Sequence, residues 1–145
     1  MSNGLSFGLQ AKQDLIGSIT SPVTLTTNYT DNTKNIVAGG ESQHTVYVSY
    51  TAAGVGNSIQ IKVEGSPDSV DSTSPSFYRE TVATVAAGTT TLVDNEYTYT
   101  GTNGTTKGFY VYVPPAHIAV KISIKETVAA GSAGTASVCL LHSGR

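Results

Sequence analysis

Between Ser58 and Gly65 the chain alternates without a break. Ile59, Ile61 and Val63 are apolar, while Gln60, Lys62 and Glu64 between them are polar or charged. A period of two marks a strand with one face buried, because successive side chains of an extended backbone point to opposite sides. A slip of one residue would bury Lys62 and Glu64, so the pattern fixes the register as well as the conformation. The alternation recurs in His44–Tyr50, where Val46, Val48 and Tyr50 share a face with His44. It recurs again in His117–Lys125, where Ile118, Val120, Ile122 and Ile124 share a face. Gly, Asn, Asp, Ser and Pro separate such runs from Val23 to Leu141. Turn signals every ~8–12 residues predict an all-β fold: an antiparallel, jelly-roll-like β-sandwich of about eight strands.

The organisation is that of one domain. Residues 21–145 read as the sandwich, and residues 1–20 as an N-terminal arm or a first edge strand. Leu5, Phe7 and Leu9 alternate with Ser6, Gly8 and Gln10, which suits either role. A turn of helix over Ala11–Ile19 is weakened by Gly17 and by its short length. Phe77 begins a strand expected to run toward Val85. Asn103-Gly104 is the strongest short-range hairpin signal, so Thr89–Tyr99 and Phe109–Val113 are expected to pair across it.

Composition narrows the function. The chain has 145 residues, of which 12% are charged, and a net charge of -2. A typical domain carries about 25% charged residues. No basic field is available for nucleic acid or an acidic membrane. Thr, Ser, Asn, Gln and Tyr must cover much of the surface. No stretch approaches membrane-spanning length. Met1-Ser2-Asn3-Gly4 lacks a basic and apolar leader, so synthesis in a cytoplasm without export by a Sec route is expected. The sequons at Asn28 and Asn103 then read as chance matches.

No constellation for chemistry emerges. His44, His117 and His142 show no metal-ligand spacing. Serine is abundant, but no Asp is placed to orient a His beside a serine nucleophile. Asp68 and Asp71 lack the spacing of a calcium loop, and the glycines precede strands, not a phosphate-binding helix. Cys139 lies in an apolar run and reads as a buried thiol. The chain is therefore expected not to be an enzyme and to use no cofactor or metal. Tyrosine is the more informative residue. Tyr97, Tyr99, Tyr110 and Tyr112 flank the Asn103-Gly104 signal. They form either a stacked platform for a sugar or protein partner or cross-strand pairs that support the sheet and core.

From Ile59 to Glu126 the order of features resembles small β-sandwich structural proteins of tailed bacteriophages. An alternating strand ends in Gly65-Ser66-Pro67-Asp68. The aromatic pair Phe77-Tyr78 follows, then Tyr110-Val111-Tyr112-Val113-Pro114, then the strand from Val120 to Thr127 and the small-residue stretch Val128-Ala129-Ala130-Gly131. The resemblance is to head decoration, or capsid cement, proteins. It implies a virion structural protein that forms a homo-oligomer, most often a trimer, seated on the major capsid protein. Leu5, Phe7 and Leu9 would suit strand addition to a neighbour's sheet edge, which makes residues 2–10 a candidate contact. The competing expectation is a receptor- or glycan-binding sandwich from a fibre, tail or adhesin, with its tyrosines exposed in a concave site.

Overall fold

The computed structural model describes residues 10–31, 36–37, 43–66, 78–79, 81–94, 96–112, 119–129 and 131–143. Every regular element among them is a strand. In chain order these are β1 (Gln10–Ile16), β2 (Val23–Thr24), β3 (Thr30–Asp31), β4 (Ile36–Val37), β5 (Gln43–Thr51), β6 (Ser58–Ser66) and β7 (Tyr78–Arg79). They continue with β8 (Thr81–Ala86), β9 (Thr89–Asp94), β10 (Tyr97–Thr100), β11 (Thr106–Tyr112), β12 (Ala119–Thr127) and β13 (Thr135–Ser143).

The first sheet has the order β1-β13-β5-β11, with the short β2 also pairing β13. The second has the order β10-β6-β12-β3, with β4 also on β12 and β7 also on β6. All of these pairings are antiparallel. With the short pieces merged along shared edges, each sheet has four strand positions. The chain steps from one sheet to the other at every connection but the long one from β6 to β10, which stay neighbours. This is the strand order of an eight-position jelly roll, so the expected architecture is the observed one. Three broken edge positions turn the eight into eleven strands, and the separate β8–β9 pair brings the total to thirteen.

The core follows the alternation read from the sequence. Ile59 and Ile61 of β6, Val46, Val48 and Tyr50 of β5, Ile122 and Ile124 of β12, and Val138 of β13 are fully buried between the sheets. Each large aliphatic side chain removed from water contributes roughly 1.5–3 kcal/mol. In β1 the consecutive pair Leu15 and Ile16 is buried, which strict alternation forbids. The register shifts between Asp14 and Ile16, and this bulge turns both side chains inward. Residues 10–16 are thus an edge strand of the first sheet, and the weak helical alternative over Ala11–Ile19 does not form. Leu5, Phe7 and Leu9 lie outside the described residues.

Two expectations are corrected. Asn103-Gly104 closes no hairpin: β10 pairs β6 in the second sheet, and β11 pairs β5 in the first. The turn is present, with the Thr105 amide donating to the Thr102 carbonyl at 2.9 Å. However, only Gly104 has positive φ, at 71°. A two-residue hairpin of type I′ requires positive φ at both central residues, so this turn instead lets the chain cross between sheets. The Gly104 amide anchors it by donating to the Ala52 carbonyl at 2.8 Å. The strand expected from Phe77 to Val85 is also divided. β7 joins β6, whereas among the described residues β8 leaves both sheets and pairs only β9. Ala87 and Gly88, with φ of 49° and 78°, supply the true type I′ turn between β8 and β9. Alanine is an unfavourable residue there, which hid the turn type from the sequence.

Candidate functional site

On one side of the sandwich both sheets end together. β10 is the last strand of the second sheet and β11 the last strand of the first. The four residues of β10 alternate, so Tyr97 and Tyr99 turn between the sheets while Thr98 and Thr100 face out. On β11, Phe109 is half-buried and Val111 buried, with Tyr110 pointing the other way at 68% exposure. No strand among the described residues closes this side. The result is a groove of about 270 Å³ whose walls are Ile61, Tyr97, Tyr99, Phe109 and Val111, with Thr98, Lys107 and Tyr110 also among its lining residues.

The aromatic rings form a graded series from core to rim. Tyr50 meets Tyr99 edge-on, with centroids 6.3 Å apart and planes at 89°. Tyr99 meets Phe109 at 5.6 Å. Such tilted contacts are the favoured aromatic geometry, worth ~0.5–1.5 kcal/mol each beyond their burial. Tyr110 belongs to the outer face of the first sheet, where it packs beside Tyr47 with centroids 5.4 Å apart. Of the four tyrosines weighed as a platform or as cross-strand pairs, Tyr97 and Tyr99 line the groove from the second sheet and Tyr110 lines it from the first, where its ring also packs on Tyr47, while Tyr112 is the backbone partner of Thr45 on the same strand as Tyr110. Both weighed roles occur: core support at Tyr99 and outward display at Tyr110.

Behind the groove lies a polar cluster that the sequence reading missed. Glu126 is 1% exposed and shares the inward face of Ile122 and Ile124. The Tyr50 hydroxyl donates to Glu126 Oε1 at 2.6 Å, and the Gly134 amide donates to Oε2 at 2.8 Å. Asn57 Nδ2 lies 3.4 Å from Oε1, donates to the Ser132 carbonyl at 2.9 Å, and its Oδ1 accepts from the Ala129 amide at 3.0 Å. Glu126 thus clasps β12 of one sheet to β5 and β13 of the other. Strict alternation through Ile122, Ile124 and Glu126 carried the signal, because it directs this carboxyl inward.

The Tyr50 phenol is held well above its ordinary value of 10, first by burial and then by its hydrogen bond to, and the charge of, Glu126. The sign of the linkage is set by the unfolded chain, which releases this proton first. Tyr50 contributes its full stability below pH 10 and loses it as pH rises toward the folded value. Chemical denaturation above pH 10 should show stability falling by ~1.4 kcal/mol per pH unit from this group. Tyr50→Phe should remove that part of the slope, and an identical slope in the variant would contradict the assignment.

The outer face of the second sheet carries charge, but in balanced form. Lys62 and Lys121 reach Glu64 at 3.2 and 3.0 Å. The ammonium groups of Lys62 and Lys125 sit 4.4 and 4.5 Å from the Tyr29 ring centroid, whose hydroxyl donates to Glu96 at 2.8 Å. Cations over an aromatic face are stabilised by its quadrupole, and the nearby carboxylates cancel their field. His44 and His142 are cross-strand partners, an adjacency that strand-by-strand reading did not reveal. Among the described residues no group of three or more His, Cys, Asp or Glu is placed to hold a metal ion. Cys139 is 4% exposed, and burial raises its thiol pKa.

No family model matches the chain, and no curated protein matches it. Among solved structures, it is similar to a chain in the "Structure of infectious bursal disease virus Gx strain", with 16% identity and a TM-score of 0.40. The likeness covers 93% of this chain, which spans 30% of that one.

Proposed function

We propose that this chain is a virion structural protein, a capsid decoration protein that binds the major capsid lattice of a tailed bacteriophage as a homo-oligomer, most simply a trimer. The observation that carries the reading is the side of the sandwich that no further described strand closes, where the edge strands β10 and β11 flank a groove walled by core aromatics. Apolar surface left open in this way gains free energy when a partner covers it. The sequence resemblance to phage decoration proteins supports the same role, and the jelly roll is an architecture used by viral capsid domains. The low charge suits a protein that packs at high density on a lattice. In this reading the chain is made in the host cytoplasm, resides on the capsid surface, performs no catalysis and needs no cofactor.

The test is stoichiometry. Purified protein added to particles that lack it should saturate at hundreds of copies per particle and raise the temperature at which the particles rupture. A handful of copies, or none, would contradict it. A glycan-binding module of a fibre or adhesin is the second reading, favoured by the aromatic lining of the groove, since jelly rolls also form lectin domains. It predicts signal on a glycan array that Tyr97→Ala abolishes.

A further inference from the structure

We propose that the β8–β9 hairpin of one copy docks into the β10/β11 groove of a second copy of this chain. The inference deepens the reading above and rests on it, naming the self-contact of an assembling structural protein.

The hairpin is unfinished by itself. A two-stranded ribbon is marginally stable at best in water, yet β8 and β9 form a sheet of their own. Every residue from Ala83 to Val93 is exposed, with Val85 at 71% and Leu92 at 68%. Exposed edge strands are ordinarily protected by charged residues or proline. From Thr81 to Val93 there is neither. Ala83 and Leu92 are direct cross-strand partners, and Val85 lies two positions along the same face. That face thus carries Ala83, Val85 and Leu92, with Thr90 opposite Val85, next to the tight turn.

The same chain offers the complement. Its groove is apolar, concave and open while its own hairpin stands exposed, so the hairpin does not fill it. Lys107 is the charged residue of the groove lining, and Asp94 is the charged residue of the two hairpin strands. Their opposite signs favour docking with the hairpin base toward Lys107. The edges of β10 and β11 add backbone groups to which a hairpin strand can bond. An aliphatic occupant suits walls of Ile61, Val111 and aromatic rings better than a sugar, which needs polar partners for its hydroxyls. Donor and acceptor are different patches, so each copy gives one hairpin and receives one, and the contact runs head to tail from copy to copy, as a ring where the rotation closes.

The full chain and its Val85→Lys/Leu92→Lys variant should be compared by native mass spectrometry and sedimentation. Both positions are exposed, so the variant should keep the wild-type strand content and core melting transition. We expect the wild type to assemble and each lysine to weaken assembly by roughly 30-fold or more, as at a buried contact. In a mixture of Leu92→Cys and Thr98→Cys chains, a disulfide should join unlike copies, because the native Cys139 is buried. A wild type that stays monomeric would overturn the inference. So would a lysine variant that assembles like wild type, including the case where only deletion of residues 1–9 disperses it. Unchanged assembly with particle binding intact sinks this contact but not the function. Assembly lost in the variant, with wild type that binds no particle, keeps the contact and sinks the function.

Discussion

Glu126→Ala should lower the unfolding free energy by about 4 kcal/mol, measured by urea denaturation at neutral pH. The side chain is 1% exposed and accepts hydrogen bonds from Tyr50 on β5 and from the Gly134 amide just before β13. Removing it leaves both donors buried without their acceptor, at roughly 1–3 kcal/mol each. The space of the lost side chain adds a cavity cost. Whole domains of this kind have only about 5–15 kcal/mol in hand, so the variant should be close to unfolding at body temperature. Glu126→Gln keeps the shape and one acceptor oxygen and should cost less than half as much. Tyr50→Phe should cost about 2 kcal/mol. The double variant Tyr50→Phe/Glu126→Ala should cost clearly less than the sum of its parts, because both changes break one bond. Full additivity would show that the two groups do not act as a unit.

Gly134→Ala should be nearly as damaging, at about 3 kcal/mol, although it adds one methyl group. A Cβ at this position would meet the Thr51 carbonyl oxygen, lie 2.7 Å from Glu126 Oε1 and 3.1 Å from Tyr50 Cε2. The backbone carbonyl cannot swing aside as a flexible side chain could, so either β13 shifts or the clasp opens. Overpacking of this kind costs ~1–3 kcal/mol and sometimes more. Gly104→Ala gives the contrast. There φ is 71° and nothing lies within 4 Å of the added carbon, so the cost is only the ~1 kcal/mol of a left-handed alanine. Equal melting temperatures for the two variants would contradict the packing account.

The parts of this fold legible in the sequence are those where a local rule and the global fold agree. The inward faces of β5, β6 and β12 followed from alternation alone, since a strand between two sheets cannot hide its register. Asn103-Gly104 failed because turn chemistry constrains the turn and not which sheets its flanking strands join. Ala86-Ala87-Gly88 was legible as a turn, but an alanine at φ 49° hid that it is type I′. The tyrosines were split because β10 and β11 are sequence neighbours on opposite sheets. The groove exists only through long-range strand order, which no window of residues contains. Glu126 was missed although its parity with Ile122 and Ile124 directs it inward, because a carboxyl reads as a core residue only once Tyr50, Asn57 and Gly134 are known to converge on it.

Hydrogen exchange on the free chain and on the same chain bound to particles tests the central claim most directly, because slowing reports which backbone amides become covered. Amides of β6, β12 and β13 should already be protected in the free chain and change little. In the chain diluted to its monomer, the amides of Thr81–Asp94 and those of β10 and β11 that do not bond β6 or β5 should exchange rapidly, and they should gain protection on the particle. Protection gained elsewhere, with the hairpin and the open side still exchanging as in the free chain, would contradict the account.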